Sequence, residues 1–218
     1  KTAELIDQTH GDGTLTPVPT KFTASQRVWG QYGFNYATPY GPARPVEIKV
    51  ARGGTHQHMT YSHEVGHYID QQWLGRHFGT ERYSRDMYAS QHADRIPELQ
   101  GWHKAVTSSR AYQQLSELEE LGKTRQPIKM LVNGQERDII PDRKYLRYVK
   151  SEQELFARSY SQYIATKSQY PPMLAELEQE RDPTRSAYHA VQWADDDFEP
   201  IAKAFDALFE LLGGLSRD

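Results

Sequence analysis

The segment from Tyr61 to Asp70 reads Tyr-Ser-His-Glu-Val-Gly-His-Tyr-Ile-Asp, with His63 and His67 four positions apart. On an α-helix, positions i and i+4 lie one above the other on a single face, so both imidazoles can bind one metal ion. Glu64 lies about 100° further round, where its carboxylate can reach a water on that metal. Zinc lowers the pKa of such a water to about 7. The spacing therefore predicts a zinc site for attack on a carbonyl carbon, with Glu64 as general base.

The alternative interpretation of this motif is a surface helix that carries two histidines and a glutamate without a metal. The surrounding sequence favours the metal site. Apolar residues between Val65 and Leu74 recur at helical spacing and predict a helix over about 60–77. Gly66 costs this helix about 1 kcal/mol relative to Ala. A glycine there indicates close approach of another backbone, or access for a substrate.

A catalytic zinc site usually has a third protein ligand and one open position. The chain contains no Cys, so the third ligand must be His, Asp or Glu. A metzincin-type ligand on the same helix would be His or Asp at position 73, which is Trp73, and we exclude that class. Asp70, one turn beyond His67, is interpreted as a partner that orients a ligand imidazole. The competing interpretation of Asp70 is a solvated carboxylate.

A second helix, predicted from Ser151 to about Thr166, offers the third ligand. Glu154, Ala157 and Ser161 share one face of this helix. A carboxylate followed by small side chains allows the helix to lie close to the motif helix. Glu154 is therefore the best candidate for the third zinc ligand.

Two alternatives to this assignment stay open on the residues alone. Ser151 and Glu154 also form a capping box, in which the Glu154 carboxylate accepts the backbone N–H of Ser151. The ligand and the capping interpretations are equally supported by the sequence. Glu152 is a competing carboxylate, although it lies on the apolar face of the helix.

These two segments resemble a known family. His63 to Asp70, preceded by Gly53-Gly54-Thr55, and Glu154 to Tyr160 look like the gluzincin-type zinc metallopeptidase (zincin) domains similar to anthrax lethal factor. Related domains occur in phage head-associated proteins and in polymorphic toxins. The resemblance implies hydrolysis of peptide bonds and Zn²⁺ held by His63, His67 and Glu154. It covers only these segments, and the residues between them have no counterpart in the family.

The family also places a tyrosine shortly before the third ligand, where its hydroxyl stabilises the oxyanion. The corresponding position here is Arg147, flanked by Tyr145 and Tyr148. We assign Tyr148 as this catalytic residue and keep Tyr145 as the alternative. The other interpretation of Tyr148 is a packed aromatic side chain.

Three further residues near the motifs were considered. His56 and His58 alternate before the motif helix, as in a strand or an extended loop. They either line the cleft and donate to the oxyanion or are ordinary loop residues. Arg158, one turn after Glu154, can pair with a carboxylate such as Asp70, or it can be an exposed arginine.

The elements that must position these residues form a helix-dominated α+β pattern with a small N-terminal sheet and an inserted β-hairpin. Residues 1–26 are rich in Thr, Gly and Pro and predict an irregular N-terminal arm. Residues 27–218 predict a single zincin-like metallopeptidase domain. Its sheet is expected from two strand-like runs, Arg27–Tyr36 and Val46–Val50.

Three more elements are predicted after the motif helix. Residues 95–121 indicate a helix that Gly122 ends. Residues 128–140 indicate a strand pair, in which Asn133-Gly134 supplies the two positive-φ positions of a type I′ turn. The last helix runs from about Asp197 to Leu212, with capping by Asp195–Asp197 and termination at Gly213-Gly214.

Composition restricts partners and location. A formal net charge of -3 over 218 residues argues against nucleic-acid binding through a basic field. No stretch approaches the roughly 18 apolar residues of a membrane span, and the N-terminus lacks the apolar region of a signal peptide. The chain begins at Lys1 without Met, which is typical of a processed product or of a part of a longer protein. A secreted or translocated effector and a cytoplasmic or phage-associated protein both fit.

The sequence thus predicts a zinc metallopeptidase that acts on a protein or peptide substrate, as a toxin, effector or phage-associated protease. The long insert between the ligands favours narrow specificity, and an immunity or inhibitor protein is a further expected partner. Oligomeric state is left open. The rival hypothesis is a catalytically inactive zincin-fold module that binds or builds a virion or effector. The intact Glu64 counts against this rival, because an inactive site has no need of the base.

Overall fold

The computed structural model describes residues 1–11, 15–24, 29–132, 134–182, 189 and 191–213. The fold is a helix-dominated α+β arrangement with one three-stranded sheet and one two-stranded hairpin, as the sequence predicted. The α-helices are α1 (Thr2–His10), α2 (Gln57–Tyr68), α3 (Gly75–His77), α4 (Pro97–Thr107), α5 (Arg110–Thr124), α6 (Arg143–Val149), α7 (Glu152–Ser168), α8 (Pro171–Arg181) and α9 (Asp195–Leu211). The strands are β1 (Thr20–Thr23), β2 (Gly30–Asn35), β3 (Arg44–Ala51), β4 (Ile128–Val132) and β5 (Gln135–Ile139).

The larger sheet is mixed and has the strand order β1-β3-β2. β1 pairs with β3 in parallel, and β2 pairs with β3 antiparallel, with a bulge between Gly33 and Phe34. Within the described part of the chain, β2 therefore leaves one edge free of strand pairing. Arg27 and Val28, where the sequence predicted that this strand begins, lie outside the described residues.

Residues 1–26 differ from the predicted irregular arm. Its described part contains α1 and β1. α1 is anchored by His10, whose ring stacks on Phe209 at 4.7 Å between centroids and whose Nε2 lies 2.6 Å from the Tyr160 hydroxyl. These are tertiary contacts to α9 and α7, so composition alone could not reveal the helix.

The predicted motif helix runs without a break from Gln57 to His77, but its middle, Ile69–Leu74, has π-helical hydrogen bonding. Three consecutive polar side chains in this segment are buried: Asp70, Gln71 and Gln72. Gln71 accepts the Tyr32 hydroxyl at 2.6 Å and donates to a loop carbonyl, so the segment ties the helix to the surrounding loops. Single π turns inside α-helices are frequent at functional sites.

The helix predicted over 95–121 is two helices, α4 and α5, separated at Ser108 and Ser109. The Ser109 hydroxyl accepts the N–H of Tyr112 and so caps α5. Gly122 does not end α5, which continues to Thr124. A Cβ at Gly122 would lie 2.8 Å from the Pro141 carbonyl, so the glycine serves packing there.

The hairpin β4–β5 confirms the predicted strand pair, with Val132 opposite Gln135. Asn133 lies outside the described residues, while Gly134 has the positive φ of 71° that was expected. At the C-terminus, α9 begins at Asp195, and the Asp197 carboxylate accepts the first N–H groups of α5 rather than those of its own helix. Gly214 lies outside the described residues.

α7 is the centre of the molecule, buried from Glu154 to Ala165. One hydrophobic cluster surrounds it and draws on the sheet, α2, α4 and α9. Its largest fully buried side chains include Trp102, Phe156, Tyr160, Trp193 and Phe205. Among the described residues, no helix has both the length and the apolar character needed to cross a membrane.

Candidate metal centre

Helices α2 and α7 bring the three predicted ligands together. His63 and His67 project from α2, and Glu154 projects from the first turn of α7. One ligand atom from each of the three lies within 4.8 Å of the other two. His67 and Glu154 are buried, and His63 is partly exposed. The cluster therefore has a closed side against α7 and an open side at His63.

The close approach of the two helices depends on Gly66. A Cβ at this position would lie 2.9 Å from Ala157 Cα, 3.1 Å from Tyr160 Cδ1 and 3.3 Å from the Ala157 carbonyl oxygen. The distance to Cα is shorter than real Cβ contacts allow. Gly66 and Ala157 thus let the α2 and α7 backbones touch, which confirms the predicted reason for a glycine in the motif.

The separations between the candidate ligand atoms fit a tetrahedral metal site. His63 Nε2 lies 3.4 Å from Glu154 Oε2, and His67 Nε2 lies 3.4 Å from Glu154 Oε1. Ligands about 2.0–2.2 Å from a tetrahedral zinc are roughly 3.3 Å apart. A direct charge-assisted hydrogen bond would be shorter, about 2.7–2.9 Å. The chemistry of the donors, two imidazoles and a carboxylate, is also that of a catalytic zinc site.

Burial and the neighbouring groups have opposite effects on the pKa values of Glu154 and His67. Burial alone would raise the pKa of Glu154, but the adjacent His63 and His67 imidazoles outweigh it and hold that pKa well below the ordinary value. Burial alone would lower the pKa of His67, and the Glu154 carboxylate reverses this effect. Glu154 is therefore ionised at neutral pH, which is the form that binds a metal.

The structure decides between the alternatives for Glu154. Ser151 has no side-chain cap bond to α7, and its hydroxyl donates to the Tyr148 carbonyl instead. The Glu154 carboxylate faces the two histidines, so the capping interpretation is wrong. Among the described residues, Glu152 is not part of any group with metal-binding geometry.

Glu64 lies beside the cluster and under the free edge of the sheet. Its side chain is 6% exposed, and burial raises the pKa of the carboxyl against the opposing charges of His63 and His67. The backbone N–H of Tyr32 also bonds the carboxylate and lowers its pKa. A Cβ at Gly30 would lie 2.5 Å from Glu64 Oε1 and 2.6 Å from Thr60 Cγ2, so a larger residue there would have to displace these side chains. The Glu64 carboxylate is thus held between the cluster and strand β2.

Tyr148, on the short helix α6, interacts electrostatically with Glu154 and Glu64. Burial is the main cause that raises the pKa of the Tyr148 hydroxyl. The charge of Glu154, a hydrogen bond to Glu154 and the charge of Glu64 raise it further. The side chain is nevertheless 55% exposed. The Tyr145 ring packs against His189 at 5.7 Å between centroids. Arg147 points elsewhere and pairs with Glu119 at 2.8 Å.

Asp70 does not contact the ligand imidazole that the sequence suggested. Its carboxylate accepts the Ser90 N–H at 2.8 Å and the Ser90 hydroxyl at 2.5 Å. Burial raises the pKa of Asp70 to about 7, against these hydrogen bonds and the charge of His67. Asp70 therefore holds the loop before α4 onto the motif helix. The Nδ1 atom of His67 is buried and has no hydrogen-bond partner among the described residues.

His56 and His58 lie at the start of α2, contact neighbouring helices there and are not part of the ligand cluster. His56 Nδ1 lies 3.2 Å from Glu180 Oε1, and His58 Nδ1 lies 2.7 Å from the Thr2 hydroxyl. The hydrogen bond to Glu180 raises the pKa of His56 against the effect of burial. Both histidines thus link α2 to neighbouring helices, which agrees with a structural role.

Arg158 is buried and does not pair with Asp70. Its guanidinium donates to the carbonyl oxygens of Val149 and Val191 and lies over the Trp193 ring. Val149 ends the helix that carries Tyr148. Arg158 therefore fastens α6 to α7 one turn beyond Glu154.

Sequence reasoning missed the groups that surround the site. Tyr88 lies with its ring 5.8 Å from that of His67, and Phe34 contacts Tyr88 from strand β2. Gly30 was part of a predicted strand, but nothing in its neighbours indicated that it faces the base. Such long-range contacts have no local signal, because they arise when β2 and the loop before α4 meet α2 in space.

No protein-family model matches the sequence, and neither a curated protein nor a solved structure is found to match the chain.

Proposed function

We propose that the chain is a zinc-dependent peptidase of gluzincin type, with zinc held by His63, His67 and Glu154. The observation that carries the proposal is the convergence of these ligands from two helices, with a buried carboxylate, Glu64, directly beside them. The spacing and chemistry of the donor atoms support zinc over a simple ion pair. When bound, zinc would polarise the scissile carbonyl and make a water molecule acidic enough to attack at neutral pH.

Two residues of the chain then have separate roles in the reaction, proton transfer and stabilisation of the oxyanion. Glu64, whose pKa is raised by burial, accepts the proton of the attacking water and passes it to the leaving amine. Tyr148 offers its hydroxyl to the carbonyl oxygen as negative charge develops there. The Tyr148 side chain is exposed and interacts with Glu154, so it can turn toward a substrate bound at the metal.

The free edge of β2 supports a peptide as the substrate class. An extended peptide adds to an exposed strand through backbone hydrogen bonds, and this edge runs past Glu64. A peptide bond placed there would lie between the edge and the ligand cluster.

The test is cleavage of a mixed peptide library by the zinc-loaded protein, read by mass spectrometry, with Glu64→Gln and Glu152→Gln as a matched pair. We expect Glu64→Gln to keep zinc and lose about a hundredfold to ten-thousandfold in rate. Glu152→Gln should cleave like the unchanged chain. Equal activity of the Glu64→Gln variant would exclude the mechanism. Stoichiometric zinc without cleavage of any peptide would instead favour the inactive binding module.

A further inference from the structure

A cleft lies beyond the C-terminal end of β2, the strand whose free edge passes Glu64. Beyond the end of β2, the Ala37 N–H donates to the Arg85 carbonyl at 2.8 Å, and Arg85 Nε donates back to the Ala37 carbonyl at 3.2 Å. Three residues after Arg85, the Tyr88 ring contacts His67. The segment from Arg85 to Tyr88 therefore connects the end of the strand edge to a zinc-ligand candidate.

The cleft has a volume of about 640 Å³. Its lining comprises the turn after β2, one residue of α3, one residue of the turn Thr80–Arg82 and two residues of the segment just described: Ala37, Thr38, Pro39, Gly41, Pro42, Arg76, Glu81, Arg85 and Met87. Two of these side chains are cationic and one is anionic, so the cleft carries a net positive charge. A volume of this size accommodates one or two amino-acid side chains of a bound peptide.

The two arginines are oriented but have no acidic partner among the residues that the structure describes. Arg76 Nη2 donates to the Ala43 carbonyl at 3.3 Å, and Arg85 uses its Nε for Ala37. Each guanidinium is thus anchored by one N–H and keeps others free for an anion. Elsewhere in the chain, Arg147 and Arg181 are each ion-paired with Glu or Asp side chains. Glu81 lines the same cleft without an ion pair among the described residues.

We infer that this cleft binds a carboxylate of the substrate, at a position a few residues from the scissile bond. The inference deepens the proposed function and rests on it for the placement of the peptide along β2. A planar guanidinium fork matches a carboxylate, and two forks on one cleft favour an acidic over a neutral peptide. The carboxylate can belong to an Asp or Glu side chain or to the C-terminus of the peptide, because both present the same atoms.

The experiment measures binding, so it does not depend on turnover. Zinc-loaded Glu64→Gln protein is titrated with dye-labelled short Ala-Ser peptides that carry a single Asp, or a matched Asn, at each position in turn. Each peptide is made with a free and with an amidated C-terminus. We expect at least one Asp position, or the free C-terminus, to bind about tenfold more tightly than its neutral partner.

Substitutions on the protein side assign that preference to the cleft. Arg85→Gln and Arg76→Gln should each remove most of the tenfold preference, and Arg85→Lys should keep part of it. Arg137→Gln, which removes the same charge from the exposed strand β5, should leave it intact. Because the Asp-to-Asn comparison alters only the peptide, it remains informative if an arginine variant folds poorly.

The outcomes separate the two proposals. Equal binding of all Asp and Asn peptides with both termini, or a preference that Arg85→Gln and Arg76→Gln leave unchanged, overturns the anion site. An equal loss in Arg137→Gln also overturns it, since the preference would then reflect overall charge. Failure of the unchanged protein to cleave any peptide, with the Asp preference present, would overturn the peptidase and leave the cleft as a binding site for acidic peptides.

Discussion

Replacement of Gly66 by Ala tests the contact on which the whole site depends. The new Cβ would lie 2.9 Å from Ala157 Cα and 3.3 Å from the Ala157 carbonyl oxygen, and backbone atoms cannot turn away as a side chain can. Overpacking of this kind costs about 1–3 kcal/mol, and the better helix propensity of Ala returns about 1 kcal/mol. We expect a net loss of up to about 2 kcal/mol in the free energy of unfolding, or several degrees in Tm.

The same substitution should weaken metal binding, because α7 must move away from α2 and carries Glu154 with it. An approximately tenfold weaker zinc affinity would reduce the stabilisation by zinc by about 1.4 kcal/mol at a fixed excess of free metal. Thermal unfolding with and without zinc measures both effects. Gly101→Ala is the matched control, since a Cβ at this exposed position in α4 meets nothing within 4 Å and should stabilise the protein. If Gly66→Ala gained stability as Gly101→Ala does, and bound zinc normally, the account of the helix contact would be refuted.

Two further predictions concern the proposed oxyanion donor, Tyr148, and the partly buried His10. Tyr148→Phe should keep zinc and reduce kcat about tenfold to a thousandfold. Tyr145→Phe is the control and should leave kcat nearly unchanged. A large loss of kcat in Tyr145→Phe and none in Tyr148→Phe would assign the role to Tyr145 instead. Burial lowers the pKa of His10 from 6.5 to about 4, a difference worth up to about 3 kcal/mol. Since the folded pKa is below the unfolded one, this stability is present above pH 6.5 and is lost as pH falls toward 4. Urea unfolding from pH 7 to 4 should show that loss, and His10→Phe should flatten the profile; an identical profile in both proteins would contradict the assignment.

The sequence identified the members of the His63, His67 and Glu154 cluster because their signals are local. His63, Glu64 and His67 are fixed by one helical turn, and the face of the second helix that carries Glu154 follows from periodicity. The neighbouring sequence could not decide whether Glu154 faces the two histidines or caps α7. It depended on whether α7 lies against α2, which Gly66 permits and which only the three-dimensional arrangement shows.

Elements stabilised mainly by tertiary contacts were predicted poorly. The helix α1 was missed because its contacts, His10 with Tyr160 and Phe209, lie far away in sequence. The break between α4 and α5 has a similar cause, since the Ser109 hydroxyl accepts both the Tyr112 N–H and the indole N–H of a distant tryptophan. Propensity is a weak guide where such contacts dominate.

Partners of buried polar groups were equally hard to predict. The sequence suggested that Arg158 pairs with a carboxylate such as Asp70 or is exposed, yet Asp70 bonds Ser90 and Arg158 bonds backbone carbonyls. Both side chains are buried, and the hydrogen bonds just named satisfy their polar atoms without an ion pair. Spacing shows which groups can meet, but the loops that fold over them decide the actual partner.

The central claim is that two helices hold one zinc ion through His63, His67 and Glu154. The most direct measurement is zinc content after dialysis, by mass spectrometry, for the unchanged chain, Glu154→Ala and Glu152→Ala. X-ray absorption of the unchanged protein at the zinc edge would report the ligand atoms. We predict one zinc per chain with nitrogen and oxygen ligands only, a strong loss of zinc in Glu154→Ala and none in Glu152→Ala. Stoichiometric zinc in Glu154→Ala, or no zinc in the unchanged chain, would contradict the account.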